Sequence, residues 1–88
     1  MTRRGDVDAI VSVRRGRPRY AVEIKAWYTP RRITKIALRQ TCENARALNC
    51  VGVLWLPNAP VGCAKRGDVW IISGPAATLT SWVLRRGA

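Results

Sequence analysis

The sequence predicts an α/β domain with elements in the order ββαββα, a mixed four-stranded sheet flanked by helices. Three observations predict it. Two short stretches alternate apolar and polar residues and are joined by a basic turn. A longer stretch with helical spacing follows Thr29-Pro30, and residues 50–56 form a nearly continuous apolar run. Strand patterns on either side of a helical one pack as layers around a single core. The 88 residues suffice for one domain, residues 1–88, with one modest core.

Each element has its own signal. Over residues 7–13, Val7, Ala9, Val11 and Val13 fall on one face and Asp6, Asp8 and Ser12 on the other, with Ile10 breaking the pattern. This is a half-buried strand. Tyr20, Val22 and Ile24 then alternate with Ala21, Glu23 and Lys25 as a second strand. The short Arg14-Arg15-Gly16-Arg17-Pro18 connection makes the two a hairpin. Thr29 as N-cap and Pro30 at the first helical position start a helix that runs to about Leu48. Ile33, Ile36, Ala37, Gln40, Asn44 and Ala47 share its inward face, Arg31, Lys35, Arg39 and Arg46 stay solvated, and Asn49 suits the C-cap. Residues 50–56 read as a strand covered on both faces. The Pro, Asn and Gly of residues 57–67 mark a loop. Residues 69–72 form a fourth strand, and Gly74-Pro75 opens a last helix with Leu79, Trp82 and Val83 on one side. Trp55, Trp70 and Trp82 lie in apolar runs and are expected in the core.

Charge narrows the function. Lys and Arg number 16 against 5 Asp and Glu, a formal net charge of +11. Such a field attracts polyanions, and nucleic acid is the default partner. A membrane surface is a weaker candidate, because the basic residues do not fall on one long amphipathic helix. No apolar run reaches the length of a membrane span, and residues 1–6 hold no apolar segment of a secretory signal. Cys42, Cys50 and Cys63 lack metal-ligand spacing and are expected as buried thiols of a reduced, cytoplasmic protein. There is no histidine. That excludes Ser-His and Cys-His nucleophiles, His-ligated zinc and His-based nucleases. Any catalysis must rest on carboxylates, Lys, Arg or Tyr.

Three of the five acidic residues, Asp6, Asp8 and Glu23, sit in the hairpin. A two-residue turn at Arg15-Gly16 would place Asp8 opposite Glu23 and Asp6 opposite Lys25. It would set Val7, Ala9 and Val11 against Ile24, Val22 and Tyr20 on the other face. Facing carboxylates repel, and a divalent cation between them removes that cost. Mg²⁺ takes one or two carboxylates together with waters and phosphate oxygens, and it can activate a water at a phosphodiester. Lys25, on the same face, could orient the water or stabilise charge on the phosphate. The bland reading of Asp8, Glu23 and Lys25 is a solvated sheet face with an ordinary ion pair, and Asp6 reads as a partner for Lys25 alone. Gln40 reads either as a helper of the site or as a polar residue at the rim of the helix's inward face.

Asp8 followed by Glu23-Ile24-Lys25 on the next strand resembles the PD-(D/E)XK nuclease superfamily. Gly5-Asp6-Val7-Asp8, the Val22-Glu23-Ile24-Lys25 strand and Arg39-Gln40 on the following helix most resemble its NERD (nuclease-related domain) branch. The small stand-alone VRR-Nuc type, found in phages, is a close second. The likeness covers nearly the whole chain. It implies a restriction-endonuclease-like core, Mg²⁺ or Mn²⁺, and phosphodiester hydrolysis. Asp8 and Glu23 would be the metal ligands, Lys25 the catalytic lysine and Gln40 the helix glutamine. Val7 stands where many members have proline, and the N-terminal helix of many members, which supplies a further acidic residue, is expected to be missing.

The expected function is therefore that of a metal-dependent nuclease acting on DNA, with Arg14, Arg15, Arg17, Arg19, Arg31, Arg32, Lys35 and Arg39 gripping phosphates. Arg15-Gly16-Arg17-Pro18 also resembles the core of an AT-hook, a minor-groove peptide. A charged hairpin tip is its commonest alternative. Trp27 and Tyr28 read as core caps or as partners for a stacked base, with core the preferred role. So short a chain embraces a duplex poorly, so a homodimer is expected. The rival functions are a nucleic-acid-binding module that keeps the fold without chemistry and, more remotely, a binder of an acidic protein.

Overall fold

The structure, a computed structural model, describes residues 8–12 and 19–87. The hairpin forms as its alternation requires. Strand β1 (Ala9–Ser12) pairs antiparallel with β2 (Arg19–Ile24), with Ala9 opposite Val22 and Val11 opposite Tyr20. The connecting residues 13–18, with Arg14, Arg15, Arg17 and the AT-hook-like segment, lie outside the described residues, as do Asp6 and Val7.

After β2 the chain makes a 3-10 turn, Pro30–Arg32, capped by the Thr29 hydroxyl. Helix α1 (Lys35–Ala47) begins only afterwards. The expected single helix from Thr29 to Leu48 is thus divided. Ile33 is extended at φ −68°, ψ 126°, and Thr34 supplies the N-cap, accepting from the Ala37 N–H at 3.0 Å. The inward face differs as well. Ala37, Thr41 and Ala45 are buried, while Ile36 is 63% exposed and Gln40 is exposed. Starting the helix at Lys35 rotates the stripe that meets the sheet, so that small residues face it. Leu48 is the C-cap, and Asn49 follows it in the left-handed region (φ 55°), a conformation asparagine tolerates better than most residues.

Strand β3 (Val51–Leu56) runs parallel to β2 and is covered on both faces, as its apolar run requires. The segment read as a loop holds a fifth strand, β4 (Gly62–Arg66), which pairs antiparallel with β5 (Val69–Ser73). The two-residue turn Gly67-Asp68 joins them, and Gly67 takes φ 61°, where a side chain would be strained. β5 inserts parallel to β3, giving the order β1-β2-β3-β5-β4. The element order is therefore ββαβββα, with five strands where four were expected. Helix α2 (Ala76–Gly87) closes the chain.

The sheet is packed on both faces. On one, Leu79, Trp82 and Val83 of α2 meet Tyr20, Val22, Val53 and Ile72. On the other, Ile33, with Leu38 and Cys42 of α1, meets Leu54, Leu56, Val69 and Ile71. Trp82 is buried and Trp55 and Trp70 half-buried, consistent with the core role expected of them. Trp55 keeps its polar edge satisfied by donating from Nε1 to the Gly74 carbonyl at 2.8 Å. Among the thiols, Cys42 and Cys50 are half-buried, but Cys63 is exposed, because it lies on the edge strand β4 rather than in a core. No helix of the described residues is long and apolar enough to cross a membrane.

Candidate functional site

The chain direction decides which predicted residues meet. Asp8 precedes β1, Glu23 and Lys25 lie at the C-terminal end of β2, and antiparallel pairing brings these ends together. The paired register ends with Ala9 opposite Val22, and Asp8 lies just beyond it, at the same end of the hairpin as Glu23. The Asp8 N–H donates to the Val22 carbonyl at 3.1 Å, and its carboxylate Oδ2 accepts from the Ile24 N–H at 2.7 Å. The carboxylate is thereby held against the peptide that directly follows Glu23, while Asp8 itself stays exposed. A short charge-assisted bond of this kind fixes the side chain's direction.

Glu23 is half-buried, with its Oε1 shielded from solvent. Alternation along β2 sets it on the same face as Ala21, the face that α1 covers, whereas Tyr20 and Val22 point to α2. Lys25 carries the strand one step further, its N–H donating to the Trp55 carbonyl at 3.0 Å. Its ammonium lies 5.7 Å from the Trp27 ring centroid. That distance is within cation–π range. Sequence reasoning gave Trp27 only a core or base-stacking role. Two residues apart in extended chain place side chains on one side, and that spacing was the available signal. Tyr28, for which the core was preferred, is 75% exposed. Trp27, Tyr28 and Arg32 line a hollow of about 260 Å³ beside Lys25.

Gln40 is exposed. On the helical wheel it flanks the buried Ala37, Thr41 and Ala45 stripe on the side opposite Leu38 and Cys42. Because Leu38 and Cys42 pack toward Val69 of β5, the Gln40 flank is the one turned to β2. Arg31, Arg32, Lys35 and Arg39 are all exposed around the start of α1. A parallel β2-α1-β3 crossover sets that start at the end of the sheet where Lys25 lies. The first turn of α1 has no acidic residue, so its positive dipole end is uncompensated there. Arg19 is elsewhere. It sits at the opposite end of β2 and donates to the Leu48 carbonyl at 3.3 Å, where it caps the negative end of α1.

The donor set can be tested against a metal by its chemistry. Among the described residues no three His, Cys, Asp or Glu side chains gather as metal donors, which leaves Asp8 and Glu23 as two hard carboxylates. Two carboxylates completed by waters and phosphate oxygens suit Mg²⁺ or Mn²⁺, and they are too few and too hard for a closed zinc site. The chain matches no family model, no curated protein and no solved structure.

Proposed function

We propose that the protein is a metal-dependent nuclease that hydrolyses phosphodiester bonds in DNA, working at the C-terminal end of β2. The observation that carries this reading is the bond that holds the Asp8 carboxylate to the N–H of Ile24, the residue between Glu23 and Lys25, in a chain of net charge +11. Open α/β sheets bind ligands outside the carboxyl ends of their parallel strands. Here β2, β3 and β5 all end on that side. The PD-(D/E)XK resemblance assigns the same three residues.

Asp8 and Glu23 would hold Mg²⁺ or Mn²⁺. When bound, such an ion lowers the pKa of a coordinated water and neutralises phosphate charge. The chain's own groups do the rest. The Lys25 ammonium, resting on Trp27, stabilises negative charge as it builds on the phosphate. Arg31 and Arg32, ahead of α1 at that end of the sheet, hold neighbouring phosphates and set the register of the strand. Gln40 orients substrate from the β2 side of α1. We place the protein in the cytoplasm, as a homodimer that presents one such site to each strand of a duplex.

A second reading has its own observation. The Oδ2 of Asp8 already accepts from the Ile24 N–H, a bond that steadies the end of the hairpin without any metal. On this reading the fold binds nucleic acid and performs no chemistry. Cleavage of labelled plasmid, single-stranded, flap and junction DNA separates the two, with Mg²⁺, Mn²⁺ or EDTA present. The nuclease reading expects metal-dependent cleavage, lowered by about 10²–10³-fold in Lys25→Ala and similarly in Asp8→Asn. Binding that survives EDTA, with no cleavage under either metal, would establish the binding module instead.

A further inference from the structure

A second surface lies across α1 from Asp8, Glu23 and Lys25. The β4–β5 turn and the outer flank of α1 enclose a shallow groove of about 390 Å³. Its floor is apolar, made by Leu38, Cys42 and Val69. Its walls are cationic. Lys35 and Arg39 line one side, one helical turn apart and so about 6 Å along the axis, and Arg66 lines the other. The acid at its rim, Asp68, is paired with Arg46 at 3.3 Å and is offset by it. Among the described residues, all three wall cations are exposed and none is drawn into an ion pair.

We propose that this groove is a second nucleic-acid contact, and that it takes an unpaired nucleotide. The base lies on the apolar floor and the flanking phosphates meet Lys35, Arg39 and Arg66. The inference rests on the nucleic-acid reading above but not on catalysis. Size and chemistry both argue for it. A volume of some hundreds of Å³ is that of a small-molecule site. Charge complementarity favours a phosphodiester, since a cationic groove tracks a single-strand backbone, and the aliphatic floor of Leu38, Cys42 and Val69 offers apolar contact to a base that only an unpaired strand exposes. An α1 face with Lys35 and Arg39 alone would track any backbone. Arg66, brought over by the β4–β5 hairpin, adds a cation from the other side of the apolar floor.

The test is made in EDTA, so that cleavage plays no part. The full chain is titrated with a short fluorescein-labelled oligothymidylate, single-stranded or annealed, across a range of salt. In parallel, alkylation of Cys42 is followed by mass spectrometry. Cys63 is the internal control, since its pairing with Ile72 puts it on the opposite face of the sheet. We expect the single strand to slow alkylation of Cys42 and leave Cys63 unchanged, and the duplex to protect much less. Arg66→Ala should retain its fold, because Arg66 is exposed. It should lower the salt slope of single-strand binding by about 0.7, the loss of one phosphate contact. Tight binding by the wild type, with Cys42 as reactive as before and the Arg66→Ala slope unchanged, would overturn the groove and leave the nucleic-acid reading standing. Equal protection by duplex would overturn the unpaired base. Failure of the wild type to bind either form would overturn both proposals together.

Discussion

Gly52 lies where β3 passes beneath α1. A Cβ built on it would stand 3.3 Å from the Ala45 Cβ and 3.4 Å from the Thr41 carbonyl oxygen. The helix approaches this closely because its inward positions, Ala37, Thr41 and Ala45, are small. Thr41 turns its hydroxyl back to the Ala37 carbonyl at 2.8 Å, which leaves a methyl toward the sheet. Small residues on both partners therefore set the distance between helix and strand, and the Gln40 flank of α1 depends on it. We predict that Gly52→Val destabilises the protein by about 1–3 kcal/mol through overpacking. A urea titration followed by tryptophan fluorescence measures this. An unchanged midpoint would mean that α1 sits further from the sheet than described.

At the scale of elements, the decisive boundary is the start of α1. The sequence offers two capping threonines, and each is used: Thr29 caps the 3-10 turn and Thr34 caps the helix. If α1 begins at Lys35, Thr34→Ala removes the acceptor for the Ala37 N–H and should cost about 1 kcal/mol. Thr29→Ala removes a longer bond, 3.3 Å to the Arg31 N–H, at the head of a three-residue turn and should cost less. Thermal melts of the two variants check the order, and the reverse order would restore the single long helix. The same elements show what was legible beforehand. The hairpin register followed from its alternation, because a one-residue slip would turn Tyr20 and Val22 out of the core. The buried β3 and the last helix were equally plain. β4 was not, because Gly62-Cys63-Ala64-Lys65-Arg66 has none of the β-branched or aromatic residues that mark a strand. Its signal was the Gly67-Asp68 turn, and its Lys65 and Arg66 are the charges that guard a sheet edge. That Asp8 and Glu23 come to the same end of the hairpin could be read from the register. The bond from Ile24 to Asp8 could not, since it depends on how the chain enters β1, and the seat of Lys25 on Trp27 was signalled only by their two-residue spacing.

The whole molecule carries +11 on 88 residues, and this field acts on stability as well as on binding. Folding draws 16 cations together, and with only 5 acids present most of them have no partner of opposite charge. At about 0.01 M salt the Debye length is about 30 Å, so nearly all of these charges repel one another. At about 0.1 M it falls to about 10 Å and repulsion is confined to neighbours. Added salt should therefore raise the melting temperature of the free protein, by about 4–8 °C for each kcal/mol of repulsion relieved. A bound oligonucleotide acts in the opposite sense to salt. At a hundredfold excess over its Kd it adds about 2.7 kcal/mol of stability, and that increment shrinks as salt weakens binding. Melting curves with and without a single-stranded oligonucleotide, run in EDTA across this salt range, should therefore converge. The free protein's curve rises while the complex's advantage declines. A free protein that loses stability as salt is added would show that attractions such as the Arg46–Asp68 pair outweigh the net charge, and the field would then not account for the affinity proposed here.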